Sequence, residues 1–519
     1  MVAPLAAFAL LSGCAVGPDF HRPAAPTVSG YTREPLSPQT ASAEVPGGAA
    51  QRFLHGQDVA GPWWAVFQSP ELNALVEKAL QANPTIVSAQ AVLRQARELV
   101  YAQQGFFYPT VQGGFTASRQ RASGALSPPL STSNLTFNLY TAQVTVGYSV
   151  DVWGGNRRQV ESLKAQADAQ RFLLEATYVT LTSNVVAAAV QEASLRAQIA
   201  ATREIIEIST KSLALLRRQA ELGYVGGLDV AAQEAALAQV QQQLPPLQKQ
   251  LEQNRNLLAV LAGRLPNDEL DEKFELATLH LPQDLPVSLP SRLVEQRPDV
   301  RVAEETLHAA GAQVGVAIAN RLPQFTINAA AGGVATTLTE MFAAANPFWI
   351  VAGTLTHTLL DGGTLLHRQR AAVAAFEQAA AQYRGTVLTA FQNVADTLYA
   401  LQFDAESLAA AVSAEEAAKR SLDLTLTQQH LGYVNYLALL SAQQAYQQTL
   451  VTRVQAQASR FADTAALFQA LGGGWWNRPD HAAAQPTDQP VGPTVGAGDS
   501  DRDRTRNNAS SLRGDGHAR

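Results

Sequence analysis

Cysteine is almost absent from this 519-residue chain: Cys14 stands alone, so no disulfide framework holds the fold. Methionine occurs twice and the nine histidines form no ligand-spaced pair, which leaves no soft-metal site and no HExxH zinc motif. There is no Walker A sequence, so the chain does not hydrolyse nucleotide itself. Charge is scarce too, at 16% of residues, against roughly 25% in an ordinary soluble domain. Alanine and glutamine fill the places that charge leaves. The net charge is -6 with no basic face, which disfavours nucleic acid as a partner. Beyond the N-terminus no apolar run reaches the ~18 residues of a transmembrane helix. A soluble protein or a membrane β-barrel remains, since alternating strands escape hydropathy scans. With no catalytic constellation, no metal site and no cofactor motif, the chain does not read as an enzyme.

What is present begins at the N-terminus. Val2 to Leu11 is an apolar run of signal-peptide length that ends in Leu11-Ser12-Gly13-Cys14, although the basic n-region of a signal peptide is missing. Small residues before a cysteine at such a place resemble a bacterial lipoprotein processing site, with Cys14 as the acylated first residue. The alternative is a buried structural cysteine. Ala15 follows, rather than the aspartate that resembles an inner-membrane retention signal, which favours the outer membrane. Residues 1–13 thus read as signal peptide, and 14–60, rich in Pro, Gly and Ser, as a lipidated extended segment.

The rest is one unit written twice. Setting Pro84 on Pro298 also matches Ala89 with Ala303, Leu93 with Leu307, Ala96 with Ala310, Val100 with Val314 and Pro109 with Pro323. Between the prolines the matches fall at steps of four, three and four, the packing face of a helix. A proline opens each helix, where its missing N–H costs little, and another closes it. The repeats read as 61–265 and 291–476. Between them, 266–290 is a Pro-rich linker with little regular structure, and 477–519 has almost no large apolar residues and reads as a disordered tail.

Each repeat carries two amphipathic strands, predicted at Tyr108–Ser118, Ala142–Val152, Gln324–Val334 and Phe348–Leu359. Val144, Val146, Tyr148, Val150 and Val152 alternate with Thr145, Gly147, Ser149 and Asp151, the period of a two-faced strand. Gly113–Asn134 and Gly332–Asn346 read as the loops joining them. Four strands cannot close a barrel, because small barrels need about eight. An open sheet edge in lipid leaves backbone groups unsatisfied at several kcal/mol each. Copies of the chain must therefore complete the wall, and a homotrimer of twelve strands is the simplest cyclic closure.

After each strand pair, Trp153-Gly154-Gly155 or Asp361-Gly362-Gly363 leads into about 65 residues without proline, roughly 100 Å of helix. Each ends at the tetrapeptide LGYV, Leu222-Gly223-Tyr224-Val225 and Leu431-Gly432-Tyr433-Val434, where glycine lets the chain turn back. Antiparallel helices return from Leu228 and Leu437, the first of them broken at Pro245-Pro246. The fold class is therefore an α+β membrane protein, internally duplicated.

Five stretches in order, GCAVGPDFHRP, WWAVFQSPELNALVEKALQANP, LAVLAGRLP, LPSRLVEQRPDVRVAEETLHAAGAQVGVAIANRLPQF and ALFQALGGGW, resemble the lipid-anchored branch of the TolC-like outer-membrane factors of tripartite efflux pumps. The resemblance covers nearly the whole chain outside the tail. It implies a trimer with a twelve-stranded outer-membrane barrel and a barrel of twelve long antiparallel helices in the periplasm. It also implies a periplasmic adaptor protein that docks on the helical tips and an inner-membrane RND-type pump that supplies energy. The two LGYV turns then become adaptor contacts, the alternative being hairpin caps that touch no partner. Leu437 holds the position of the leucine that narrows the periplasmic aperture, the alternative being a core leucine. Ser441 stands where relatives carry an acidic residue, so that ring of charge is lost at this level; Asp229 is another candidate to supply one.

Three functions follow from these readings: a passive duct for small toxic molecules, a duct for a type I protein-secretion system, or a structural coiled-coil lipoprotein without a pore. The lipid anchor and RPDVRVAE favour the first. The four amphipathic strands disfavour the third.

Overall fold

The computed structural model describes residues 15–121, 136–268, 270–341, 343 and 347–478. Residues 1–13, read from the sequence as a signal peptide, Cys14 and most of the tail lie outside them. In chain order the elements are β1 (Arg52–His55), α1 (Pro70–Ala82), α2 (Pro84–Gln104), β2 (Thr110–Arg121), β3 (Thr136–Val150), α3 (Gly155–Glu221) and α4 (Gly227–Leu261). There follow β4 (Asp284–Val287), α5 (Pro290–Gln296), α6 (Pro298–Ala319), β5 (Gln324–Ala335), β6 (Pro347–Thr356), α7 (Thr364–His430) and α8 (Tyr436–Ala470).

Prolines open α1, α2, α5 and α6. Ser69 and Asn83 cap the first two by accepting the amides of Leu72 and Thr85 at 3.3 and 2.8 Å. The two long helices, α3 and α7, have 67 residues each, and the return helices α4 and α8 have 35 each. Alanine makes this possible: Ala165, Ala188, Ala189 and Ala193 are buried along α3, where small side chains let neighbouring helices approach. The chain stays helical through Pro245 and Pro246 instead of breaking there. Both prolines, and the preceding Gln241 and Gln242 whose carbonyls lose their amide donors, are exposed, so water satisfies those carbonyls.

Strands β2, β3, β5 and β6 form one antiparallel sheet in that order. They are longer towards the loops than the sequence predicts: Gly113–Arg121 and Gly332–Ala335 are strand rather than loop, and β3 starts at Thr136. At the helix end they stop earlier, at Val150 and Thr356. Glycine weakens a strand locally, but here a neighbouring strand carries the pairing through Gly113, Gly114, Gly332 and Gly333. A second, two-stranded parallel sheet joins β1 to β4. Residues 266–290, predicted irregular, thus contain a strand, and they bury Phe274, Leu276 and Leu279. Residues 477 and 478, placed in the tail by composition, are held: Asn477 Nδ2 donates to the Val59 carbonyl at 2.7 Å, and Arg478 pairs with Glu175 at 2.9 Å.

The main core lies where α1, β4, α5 and both hairpins converge. Trp63 is fully buried and stacks on Phe468 at 5.5 Å, and Phe67 and Phe461 are packed beside it. Here α7 and α8 also share an unusual pair. The Asp463 carboxyl is hydrogen-bonded to Asp404, and burial together with that bond and the Asp404 charge pushes it up to about 7. Arg460 lies nearby, buried, and donates to Thr40 Oγ1 at 3.0 Å and the Ala49 carbonyl at 2.6 Å. The folded value of Asp463 lies above the ~3.9 of a free aspartate, so the neutral form stabilises the fold. That contribution is complete below about pH 4 and lost as pH rises through about 7. Asp463→Asn, which keeps a donor for Asp404, should raise Tm at pH 8.5 while leaving it nearly unchanged at pH 4. Equal shifts at both pH values would contradict a shared proton.

The N-terminal residues are stapled across α3 and α6 beneath the sheet. Arg158 is bonded to Asp19 at 2.6 Å and to the Val16 carbonyl at 3.1 Å, and Arg22 pairs with Glu304 at 3.0 Å. Phe20 stacks on His308 at 4.2 Å. Gly311 and Gly315 form a GxxxG on α6, and the strap explains the second: a Cβ on Gly315 would lie 2.7 Å from the Val16 oxygen. Gly315→Val should therefore expel the strap, seen as rapid proteolysis after residues 16–22 with the helical circular-dichroism signal intact. A protected strap in that variant would contradict the packing.

Candidate functional site

Among the described residues no further layer covers either face of the four-stranded sheet, and every residue of β2 is exposed. The register gives each face a dominant character. Val111, Phe115, Val144, Val146, Ile327, Val351 and Leu355 share one face. Gln112, Thr116, Gln143, Thr145, Asn328 and Thr354 share the other. There are exceptions: Phe348 and Ile350 fall on the second face, and Arg119 and Arg121 on the first. Arg119 and Arg121 carry the only charges in the four strands, both at one end of β2. A sheet mainly apolar on one side and mainly uncharged-polar on the other, with no core on either among the described residues, fits a wall between lipid and water. Among the described residues, β2 and β6 are its unpaired edges.

At the far end of the helices both LGYV turns have the same cap. The Tyr224 amide donates to Gln219 O at 2.9 Å and the Gly223 amide to Ala220 O at 3.0 Å. Tyr433 and Gly432 repeat this to Gln428 O and Gln429 O at 2.9 and 3.1 Å. This is the Schellman pair of bonds, and it needs a left-handed residue at the glycine, where φ is +78° in Gly223 and +76° in Gly432. The cap does not use the side chains around it. Tyr224 and Tyr433 are each 78% exposed, and Leu222 and Leu431 are exposed with them; Val225 and Val434 are half-buried.

Leu437 and Ser441 share an exposed face of α8, away from the buried Tyr436, Leu439 and Gln443. Leu437 is 65% exposed, so within the protomer it is not a core leucine; Leu228, one residue into α4 as Leu437 is into α8, is exposed as well. Asp229 is half-buried and close enough to Tyr436 that, after burial, its charge helps push the phenol up to about 12. Tyr436 Oη donates to Gln233 Oε1, whose amide donates to Ser209 O at 3.0 Å. Gln443 Nε2 donates to Ser212 Oγ at 2.8 Å and Tyr446 Oη to Glu204 at 3.1 Å. These bonds tie α8 of the second hairpin to both helices of the first, to α4 through Gln233 and to α3 through Ser212 and Glu204.

Sequence reasoning overlooked two aspartates that start the long helices. Asp151 accepts the amides of Asn156 and Arg157, both at 2.9 Å, and Asp361 those of Gly363 and Leu365, both at 2.8 Å. These amides hold the Asp361 carboxyl below its usual range. The signal was an aspartate within three residues before each Gly-Gly. No cluster of three or more potential metal ligands occurs among the described residues.

The sequence profile of outer membrane efflux proteins matches residues 75–264 and 289–473. The chain belongs to the outer membrane efflux protein family. Among relatives of this outer-membrane efflux protein is the pyoverdine export outer membrane protein OpmQ of Pseudomonas putida, 30% identical over 80% of this chain and 88% of its own. The toluene efflux pump outer membrane protein TtgC of Pseudomonas putida is 27% identical over 92% and 96%. The solved outer-membrane channel OprN superposes with a TM-score of 0.79 at 26% identity, covering 89% of this chain and all of that one. The chain is an outer-membrane component of an efflux system, and its helices extend into the periplasm.

Proposed function

We propose that three copies join edge to edge, β6 of one to β2 of the next, into a twelve-stranded barrel continued by twelve helices. The chain then acts as a passive conduit with no enzymatic step. The observation that carries this reading is the uncovered two-faced sheet with two open edges, which one chain cannot satisfy in lipid. The apolar face meets lipid and the Thr/Gln/Asn face lines the pore. Acylated Cys14 adds a lipid anchor, so Cys14→Ser should lose acylation yet keep the trimer. Loss of the trimer in that variant would give the lipid a role this account denies it.

The turn residues, Leu222 to Val225 and Leu431 to Val434, exposed but for the half-buried Val225 and Val434, are the docking points for a periplasmic adaptor, which links the conduit to an RND-type pump of the inner membrane. Leu437 forms the periplasmic constriction; Ser441 leaves it uncharged at that level, and Asp229 is the nearby carboxylate. Among the described residues Tyr433 bonds only through its backbone, and it is 78% exposed, so Tyr433→Ala should change stability by less than ~0.5 kcal/mol while efflux falls severalfold. Unchanged efflux would reduce LGYV to a hairpin cap. The cargo class is small hydrophobic toxic compounds: deleting the gene should sensitise cells to hydrophobic antibiotics and dyes and leave secreted proteins unchanged. The opposite pattern would favour a protein-secretion duct.

A further inference from the structure

We propose that the turn between β6 and α7 is a membrane-contact surface that holds anionic phospholipid headgroups of the periplasm-facing leaflet. This rests on the reading of the sheet as the membrane wall. Leu359 and Leu360 are 90% and 91% exposed, the highest values of any large apolar side chain among the described residues. Arg368 and Arg370 follow on the first turns of α7, exposed and without an ion pair among the described residues. The only carboxylate between Leu359 and Glu377 is Asp361, and it is engaged by the amides of Gly363 and Leu365. Arg368 and Arg370 are the fifth and seventh residues of α7, beyond the first turn where the helix dipole acts, so what leaves them open to an outside anion is the absence of a carboxylate partner among the described residues.

The equivalent turn of the first repeat is already satisfied. Arg158 is neutralised by Asp19 and Glu161 at 2.6 and 2.7 Å, Arg157 lies 3.6 Å from Asp151, and Trp153 donates to the Pro323 carbonyl at 2.7 Å. Only the second turn is left apolar and cationic. Its depth follows from register: Val150 faces Phe325, and Phe325 faces Leu355, so the turn lies level with the end of β3, where Ala15 touches Gly154. That is the membrane–periplasm boundary on the proposed reading. A sister subunit offers the β2 edge at this level. Its residues from Leu99 to Ser118 include exposed Phe106 and Tyr108 but no carboxylate. Such an edge could cover the leucines but not neutralise the arginines; a lipid supplies acyl chain and phosphate together.

The test is native mass spectrometry of the detergent-purified trimer with phosphatidylglycerol and phosphatidylcholine added in equal amounts. Wild type should retain phosphatidylglycerol preferentially. Arg368→Gln/Arg370→Gln should lose roughly 10- to 30-fold of that preference, the combined effect of two arginines at an anionic surface, with trimer mass and conductance kept. Leu359→Ser/Leu360→Ser should reduce retention of both lipids while preserving the preference. An unchanged preference in the arginine variant would overturn the proposal. So would dissociation of the trimer in either variant, because the turn would then be a subunit contact. A wild-type chain that neither trimerises nor conducts would instead overturn the channel reading, and this surface with it.

Discussion

Val146→Arg should abolish assembly, whereas Thr145→Arg, one residue away, should leave the protein assembled and alter only its conductance. The two side chains lie on opposite faces of β3: Val146 is in register with Ala329 and Val111, Thr145 with Ala330 and Gln112. An arginine on the lipid face near mid-membrane costs ~2–4 kcal/mol. Three copies multiply that to roughly 6–12 kcal/mol per trimer, comparable to the ~5–15 kcal/mol of a typical fold. On the lumen face the same guanidinium stays hydrated, and its cost is a narrower, positively charged pore. The check is the trimer fraction in isolated outer membranes, with bilayer conductance for the species that assemble. Equal assembly of both variants would mean that the sheet does not separate lipid from water.

The second large effect is expected at Glu192. Its side chain is fully buried on α3, and one carboxylate oxygen takes Arg196 at 2.6 Å and Arg255 of α4 at 3.0 Å. Arg255 also donates to the Leu270 carbonyl at 2.9 Å, so one carboxylate fastens the first hairpin to the chain between the repeats. Glu192→Ala leaves two guanidiniums, 27% and 16% exposed, facing one another without an anion. Breaking a buried pair in this way costs ~3–5 kcal/mol. Arg255→Met, which leaves Glu192 its Arg196 partner, should cost less. Denaturant unfolding of the two variants measures the difference; equal and small losses would show that the site is hydrated and weakly coupled.

What could be read from the sequence is what repeats locally. The alternation around Val144 to Val150 marked β3, prolines at Pro84 and Pro298 marked the starts of α2 and α6, and two LGYV glycines marked turns whose left-handed geometry no other residue adopts as readily. What could not be read is what distant segments do for one another. The pairing of β1 with β4 joins residues more than two hundred apart, and β4 contains Pro286, which argues against a strand. Pro245 and Pro246 predict a break in isolation; α4 stays helical past them where the carbonyls they leave unbonded face solvent. The strap was legible as an extended segment but not as a partner of Gly315, since a GxxxG does not reveal which backbone approaches it. At the tips, sequence supplied the glycine and its reason, while the exposure of Tyr224, Tyr433 and Leu437 came only from the packing of α8 on α3.

The most direct measurement is the mass of the mature, detergent-purified protein by light scattering, with the same sample then added to a planar bilayer. Three chains per particle and discrete conductance steps are the expected result. A single chain per particle that leaves the bilayer silent would contradict the account, because the open edges of β2 and β6 would then have no partner in the membrane.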